Sequence, residues 1–169
     1  ARDEFPAATR VIHTLDAAGW GDRVSLLDGG LPAWQALGLP VTQEVPSITP
    51  TSLPPLRLAP RSVDAAFIEG NAANPAVALI DARAPAFYTG AETSTAQAEP
   101  RRAGHLPGAR NVPFSAVTDE SLRMKSPDEL SKLFAAAKAE PGRKLVVYCH
   151  VGQQATAVMF AARLAGLDP

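Results

Sequence analysis

Leu145-Val146-Val147-Tyr148-Cys149-His150-Val151-Gly152-Gln153-Gln154-Ala155 is the segment on which the fold turns. Its opening apolar run is short and shows no polar alternation, so it reads as a strand buried on both faces, as in parallel sheets. A helix is predicted from about residue 155, which makes the whole a strand, a five-residue loop and a helix. In open parallel sheets ligands bind outside the carboxyl ends of the strands, and a central strand here delivers Cys149 to that crevice. A loop curled around the sulfur aims its backbone N–H groups and the helix N-terminus at it, giving positive potential without a charged side chain. Gly152 permits the backbone angles of so tight a cradle. Thiolate and persulfide anions are both stabilised by such a field, which makes the thiol a nucleophile near neutral pH. A lone cysteine after an apolar strand is also commonly a small buried hydrophobe, and it is the loop that favours reactivity.

Working outward, strand and helix patterns alternate, which argues an α/β fold with a mostly parallel sheet covered on both faces. Ser62 is placed to cap a helix over 63–69, and 77–80 is a compact apolar strand ending at Asp81. Residues 89–104 show no periodicity and read as a surface loop or the rim of a site entrance. The turn cluster Gly104-His105-Leu106-Pro107-Gly108 leads into a short strand over 111–113. Ser126-Pro127-Asp128-Glu129 opens a helix to about 139, with Ser at the cap, Pro at the first position and Glu placed to bond back.

An internal repeat sets the organisation of the chain. Residues 8–19, ATRVIHTLDAAG, and 155–166, ATAVMFAARLAG, match without gaps at an offset of 147. The first copy runs on through a predicted strand over 24–27, a turn at Asp28, Gly29 and Gly30, and a short helix around Trp34. The second copy stops at Pro169, and Cys149 falls opposite Arg2, so the sequence is expected to begin and end inside a repeat unit. Between the copies, residues 42–60 hold Pro46, Pro50, Pro54, Pro55 and Pro60, and proline's missing donor suits an extended spacer; a PxxP recognition segment is the other reading.

Composition bounds the function. In 169 residues, 46% are hydrophobic and 20% charged, an ordinary globular balance. Lys plus Arg is 16 against 17 for Asp plus Glu, so no net field favours nucleic acid or an anionic membrane, and a small-molecule or protein partner is expected. No run reaches the ~18 apolar residues of a membrane span. One cysteine excludes an internal disulfide and any multi-cysteine zinc site, and three scattered histidines lack paired-ligand spacing, so neither metal nor cofactor is expected. A single reactive thiol suits the reducing cytoplasm.

Asp81-Ala82-Arg83, then Gly104-His105-Leu106-Pro107-Gly108-Ala109-Arg110-Asn111, then Cys149 with Gly152 and Ala155, stand in the order and rough spacing of the rhodanese family. Asp28-Gly29-Gly30-Leu31-Pro32-Ala33-Trp34 likewise resembles the element that closes that family's module. The resemblance covers nearly the whole chain. It implies a three-layer α/β/α fold in two tandem modules. Residues 1–41 are then the C-terminal part of an inactive module, 42–60 the linker and 61–169 a catalytic module lacking its last strand and helix. It implies a sulfurtransferase in which Cys149 takes sulfane sulfur from a donor such as thiosulfate or 3-mercaptopyruvate. The persulfide passes it to cyanide or a thiol, with Arg83 and the loop residues His150, Val151, Gly152, Gln153 and Gln154 meeting the donor.

This chain departs from the family at two places. Val151 stands where thiosulfate transferases resemble one another in having lysine, and Phe87 stands where an arginine often follows the Asp-x-Arg motif. Arg101 and Arg102 either supply an anion-binding charge or are solvated surface residues. Asp81 and Arg83 either brace the loop or form an ordinary surface pair, with loop support favoured. His105 is read as a structural histidine bonding backbone, or else a base; His150 as a residue tuning the thiol, or else an outward polar one; His13 as structural. Two rival functions remain: a non-catalytic rhodanese-like binding or regulatory module, and a cysteine phosphatase. The phosphatase needs an arginine about six positions after the cysteine, where this chain has Ala155.

Overall fold

The structure, a computed structural model, describes residues 5–52, 56, 58–94 and 102–169. Three strands, β1 (Val77–Asp81), β2 (Arg110–Asn111) and β3 (Lys144–Tyr148), form one sheet in the order β2-β1-β3, every pair parallel. Register sets Val77 beside Lys144 and Asp81 beside Tyr148, so β1 and β3 end level with one another at the edge where Cys149 emerges. Among the described residues six α-helices accompany them: α1 (Phe5–Ala17), α2 (Gly30–Ala36), α3 (Ala65–Asn71), α4 (Pro85–Thr89), α5 (Pro127–Ala136) and α6 (Gln153–Leu164).

One face of the sheet carries the core. Ile80 and Ala82 pack with Val112, Leu130 and Phe134 of α5, and Val158 and Ala161 of α6, all fully buried. Leu79 points the other way, and with Ile68 of α3 and Val146 it lines an open crevice beside β3. The alternation follows from the two-residue period of a strand. Both apolar strands lie where the sequence puts them, because runs this short and this apolar have few other places to go.

Five expectations are corrected. β3 is at the edge of the sheet, with β1 in the middle, because no described strand pairs with its outer side. Residues 24–27 join no ladder; Val24 and Leu26 are half-buried while Ser25 and Leu27 are exposed, and no strand lies beside them among the described residues. The helix expected over 63–69 runs Ala65–Asn71, capped by Asp64, whose Oδ1 accepts from the Phe67 N–H at 2.8 Å, and not by Ser62. The strand expected over 111–113 pairs at Arg110–Asn111, since Pro113 has no N–H to extend it. Helix α5 stops at Ala136 rather than 139, where Lys138 turns into the left-handed region at φ 57°. Its start is as expected: Ser126 and Glu129 bond reciprocally as a capping box with Pro127 in the first turn.

Equivalent residues of the sequence repeat meet in space. Helices α1 and α6 pack together, the hydroxyls of Thr9 and Thr156 lie 3.2 Å apart, and Arg163 binds Asp16 at 3.0 Å; each pair is 147 residues apart. Both hydroxyls also donate to the carbonyl three residues back, Thr9 to Pro6 at 3.0 Å and Thr156 to Gln153 at 2.7 Å. Both helices close in the same way, the N–H of Gly19 bonding the Asp16 carbonyl and that of Gly166 the Arg163 carbonyl. The segment over 42–52 is exposed and forms neither helix nor strand, and Ala59 N–H ties the far end of the proline-rich stretch to the Ala17 carbonyl at 2.8 Å. Pro54 and Pro55 lie outside the described residues.

Candidate active site

Cys149 leaves β3 half-buried, and the chain turns at once into α6. Gly152 makes the turn, at φ 86° in the left-handed region where a side chain is strained. Its N–H donates to Cys149 Sγ at 3.1 Å. That bond aims the sulfur at the first turn of α6, whose free N–H groups and dipole stabilise an anion there. Behind the turn, Ala155, Thr156, Ala157 and Val158 are buried, so the helix start is fixed against the core.

A second layer braces the loop. Asp81, fully buried at the end of β1, accepts from Arg83 Nε at 2.9 Å and Nη2 at 2.5 Å and from the Arg83 backbone N–H at 2.9 Å. Burial pushes the Asp81 carboxyl up, but the Arg83 hydrogen bonds outweigh it and hold the group below the usual carboxylate range. Arg83 also donates to the Gly104 carbonyl at 2.8 Å, and its Nη1 lies 3.4 Å from His150 Nε2. Because guanidinium nitrogens only donate, any hydrogen bond across that contact has Nε2 as the acceptor. The Phe87 ring meets His150 edge-on, with centroids 4.9 Å apart. Asn111 secures the strand end by donating from Nδ2 to the carbonyls of both Asp81 and Arg83 at 2.9 Å.

Cys149, His150, Gly152 and Arg83 are therefore brought together. Val151 is 69% exposed, Gln153 faces solvent and Gln154 is half-buried, so these three contribute backbone and helix start rather than side-chain contacts. The Asp81–Arg83 pair is buried and reaches the loop, in keeping with the bracing role and unlike a surface pair. His105 donates from Nδ1 to the Tyr88 carbonyl at 2.8 Å and stacks on the Tyr88 ring, as a structural histidine would. Arg102 is exposed, while Arg101 and Arg2 lie outside the described residues.

Two neighbours of the loop carry roles that the sequence reading did not assign. Tyr148 accepts from the Leu106 N–H at 3.1 Å, and burial above all pushes its phenol up. Arg10 of α1 lies over Gly152, and a Cβ added there would collide with Nη1. Nothing in a pattern of residue types announces an arginine that arrives from a helix about 140 positions away in the chain.

Comparison with known proteins bears on the family and the fold. The rhodanese-like domain matches residues 64–168. A Pseudomonas aeruginosa protein named "Probable 3-mercaptopyruvate sulfurtransferase" is 36% identical over 169 aligned residues, covering 97% of this chain and 57% of that protein. A Mycobacterium tuberculosis protein provisionally named thiosulfate sulfurtransferase is 32% identical over 148, covering 84% of this chain and 52% of that protein. The chain thus spans little more than half the length of these relatives. Among solved structures, the anaerobic ergothioneine biosynthesis enzyme of Chlorobium limicola, in complex with trimethyl histidine, shares the fold: TM-score 0.81 at 22% identity, over 95% of this chain and 40% of that one.

Proposed function

The chain belongs to the family of rhodanese-like domains, and from that premise we propose that it is a sulfurtransferase working through a persulfide on Cys149. In the first half-reaction the Cys149 thiolate attacks the outer sulfur of a donor such as thiosulfate. The new S–S bond forms as the old one breaks, and sulfite leaves with the electron pair. With 3-mercaptopyruvate the bond that breaks is C–S, and the carbon takes a proton to give pyruvate. In the second, cyanide or a thiol attacks the terminal sulfur and the thiolate returns. The Cys149 sulfur is anionic as the attacking thiolate and again as the persulfide between the half-reactions, so what the site must supply there is a fixed positive potential. Gly152 N–H and the start of α6 supply it, Arg83 and Asp81 hold the loop that presents it, and His150, with the backbone of Val151, Gln153 and Gln154, borders the donor. No metal or cofactor is needed for these steps.

The observation that carries this reading is the hydrogen bond from Gly152 N–H to Cys149 Sγ at the C-terminal end of a parallel strand. In the same reading residues 61–169 are the catalytic module, 1–41 belong to an inactive one, and 42–60 link them. Intact-protein mass spectrometry after incubation with thiosulfate, and separately with 3-mercaptopyruvate, tests it. We expect one added sulfur that cyanide removes, absent in a folded Cys149→Ser variant. Sulfur transfer surviving that substitution would sink the proposal.

A further inference from the structure

Two guanidinium groups lie at the Cys149 loop, and they differ in what they are free to do. Arg83 is committed: Nε and Nη2 serve Asp81, Nη2 also serves the Gly104 carbonyl, and Nη1 faces His150. Arg10 is not. Among the described residues no carboxylate is within ion-pair distance of it, and the acid on its own helix, Asp16, is taken by Arg163 at 3.0 Å and Arg61 at 3.5 Å. Its side chain is exposed, and its backbone is anchored beside the loop because the preceding residue, Thr9, is buried against Thr156 in the first turn of α6. The guanidinium sits over Gly152, the residue whose N–H holds the reactive sulfur, and lines a crevice with Tyr148, Gly152 and Thr156.

The loop itself carries no arginine or lysine. Val151 is apolar and points outward, and Phe87 closes the His150 side with a ring edge. Both donors considered above carry an anionic group, sulfonate or carboxylate, beside the sulfur that reacts. A guanidinium fork matches such a group with two parallel hydrogen bonds. We propose that Arg10 is the donor-recognition residue of this site, binding the anionic end of the sulfur donor while the donor's sulfur meets Cys149. The assignment rests on the sulfurtransferase reading for the identity of its ligand, but the effect on Cys149 of positive charge placed over Gly152 can be tested without it.

Cys149 is the chain's single cysteine, so its alkylation is unambiguous. Iodoacetate and iodoacetamide attack the same thiolate, and the ratio of their rates cancels the thiolate fraction and reports local charge alone. With Arg10→Gln the iodoacetate-to-iodoacetamide ratio is expected to fall about threefold, the effect of one charge several ångströms away in a well-solvated site. Arg10→Lys should keep it. With thiosulfate as donor, Arg10→Gln should raise KM about tenfold and change kcat less than about twofold, as expected for a lost charge-assisted contact that does not alter the chemical step. An unchanged ratio, or a fall in kcat at constant KM, overturns the proposal. If the unaltered protein gains no sulfur from either donor while the ratio still falls in Arg10→Gln, the sulfurtransferase reading fails and Arg10 stands as an anion site. If sulfur is gained and the ratio does not move, the reverse holds.

Discussion

Gly152 is held by two constraints on one Cα: a left-handed φ of 86° and a guanidinium lying where a side chain would begin. Gly152→Ala must therefore push aside the flexible end of Arg10 and strain the turn, and it is relaxation of the turn that takes the N–H away from Cys149 Sγ. We expect at least a tenfold slower loading of sulfur with a modest loss of stability, about 1–2 kcal/mol, read from sulfur gain by mass and from the denaturant midpoint. Asp81 gives a pH signature of its own. Its carboxyl titrates lower in the folded protein than in the unfolded chain, so the stability it confers is whole above the ordinary carboxylate range and is lost as pH falls through the folded value. Asp81→Asn should cost about 3–5 kcal/mol at neutral pH by leaving Arg83 buried without its partner. It should also flatten the decline in unfolding midpoint between about pH 5 and pH 3. A decline as steep as that of the unaltered protein would show that Asp81 is not its source. The place of Cys149 at a strand end beside a tight turn and the pairing of Asp81 with Arg83 were legible in the sequence, because each lies at the end of an apolar run. Arg10 was not, since its proximity to the loop is made by packing.

Among the elements, α5 shows how local signals suffice when they agree. Cap, first-turn proline and third-position glutamate stand in four consecutive residues, and the helix starts there. Ser126→Ala is expected to lower stability by about 1 kcal/mol, measured by chemical denaturation, and Ser126→Asp to restore most of it. The far end of the same helix was misplaced by three residues because no glycine marks it; a lysine takes the left-handed position instead. Ser62 and Asp64 are both competent caps two residues apart, and only the folded backbone selects one. Residues 24–27 have the composition of a strand without the neighbour that would make them one. Pairing is a relation between segments, and the composition of one of them cannot report it.

For the whole molecule, the fold class and the strand carrying the cysteine followed from pattern, while the strand order did not. An edge position for β3 depends on which segments flank it, and its outer side opens on the crevice that Arg10 enters. The contact between α1 and α6 joins the two ends of the described chain, and its charged part can be tested by reversal. Asp16→Arg gathers three arginines, at 16, 61 and 163, and should destabilise by up to about 1 kcal/mol at low salt; adding Arg163→Asp should recover much of it, and salt should erase the difference. A midpoint that stays put in Asp16→Arg would mean that the pair is ornamental.

The pairs Thr9 with Thr156 and Asp16 with Arg163 each join matching positions of two similar stretches, residues 8–19 and 155–166. If two identical copies of one such helix met in this way, each position would face itself: threonine could face threonine at no penalty, but an acid would face an acid and an arginine an arginine. Within one chain the two helices are free to differ, so the same contact holds a pair of opposite charges where identical helices would hold a repulsion.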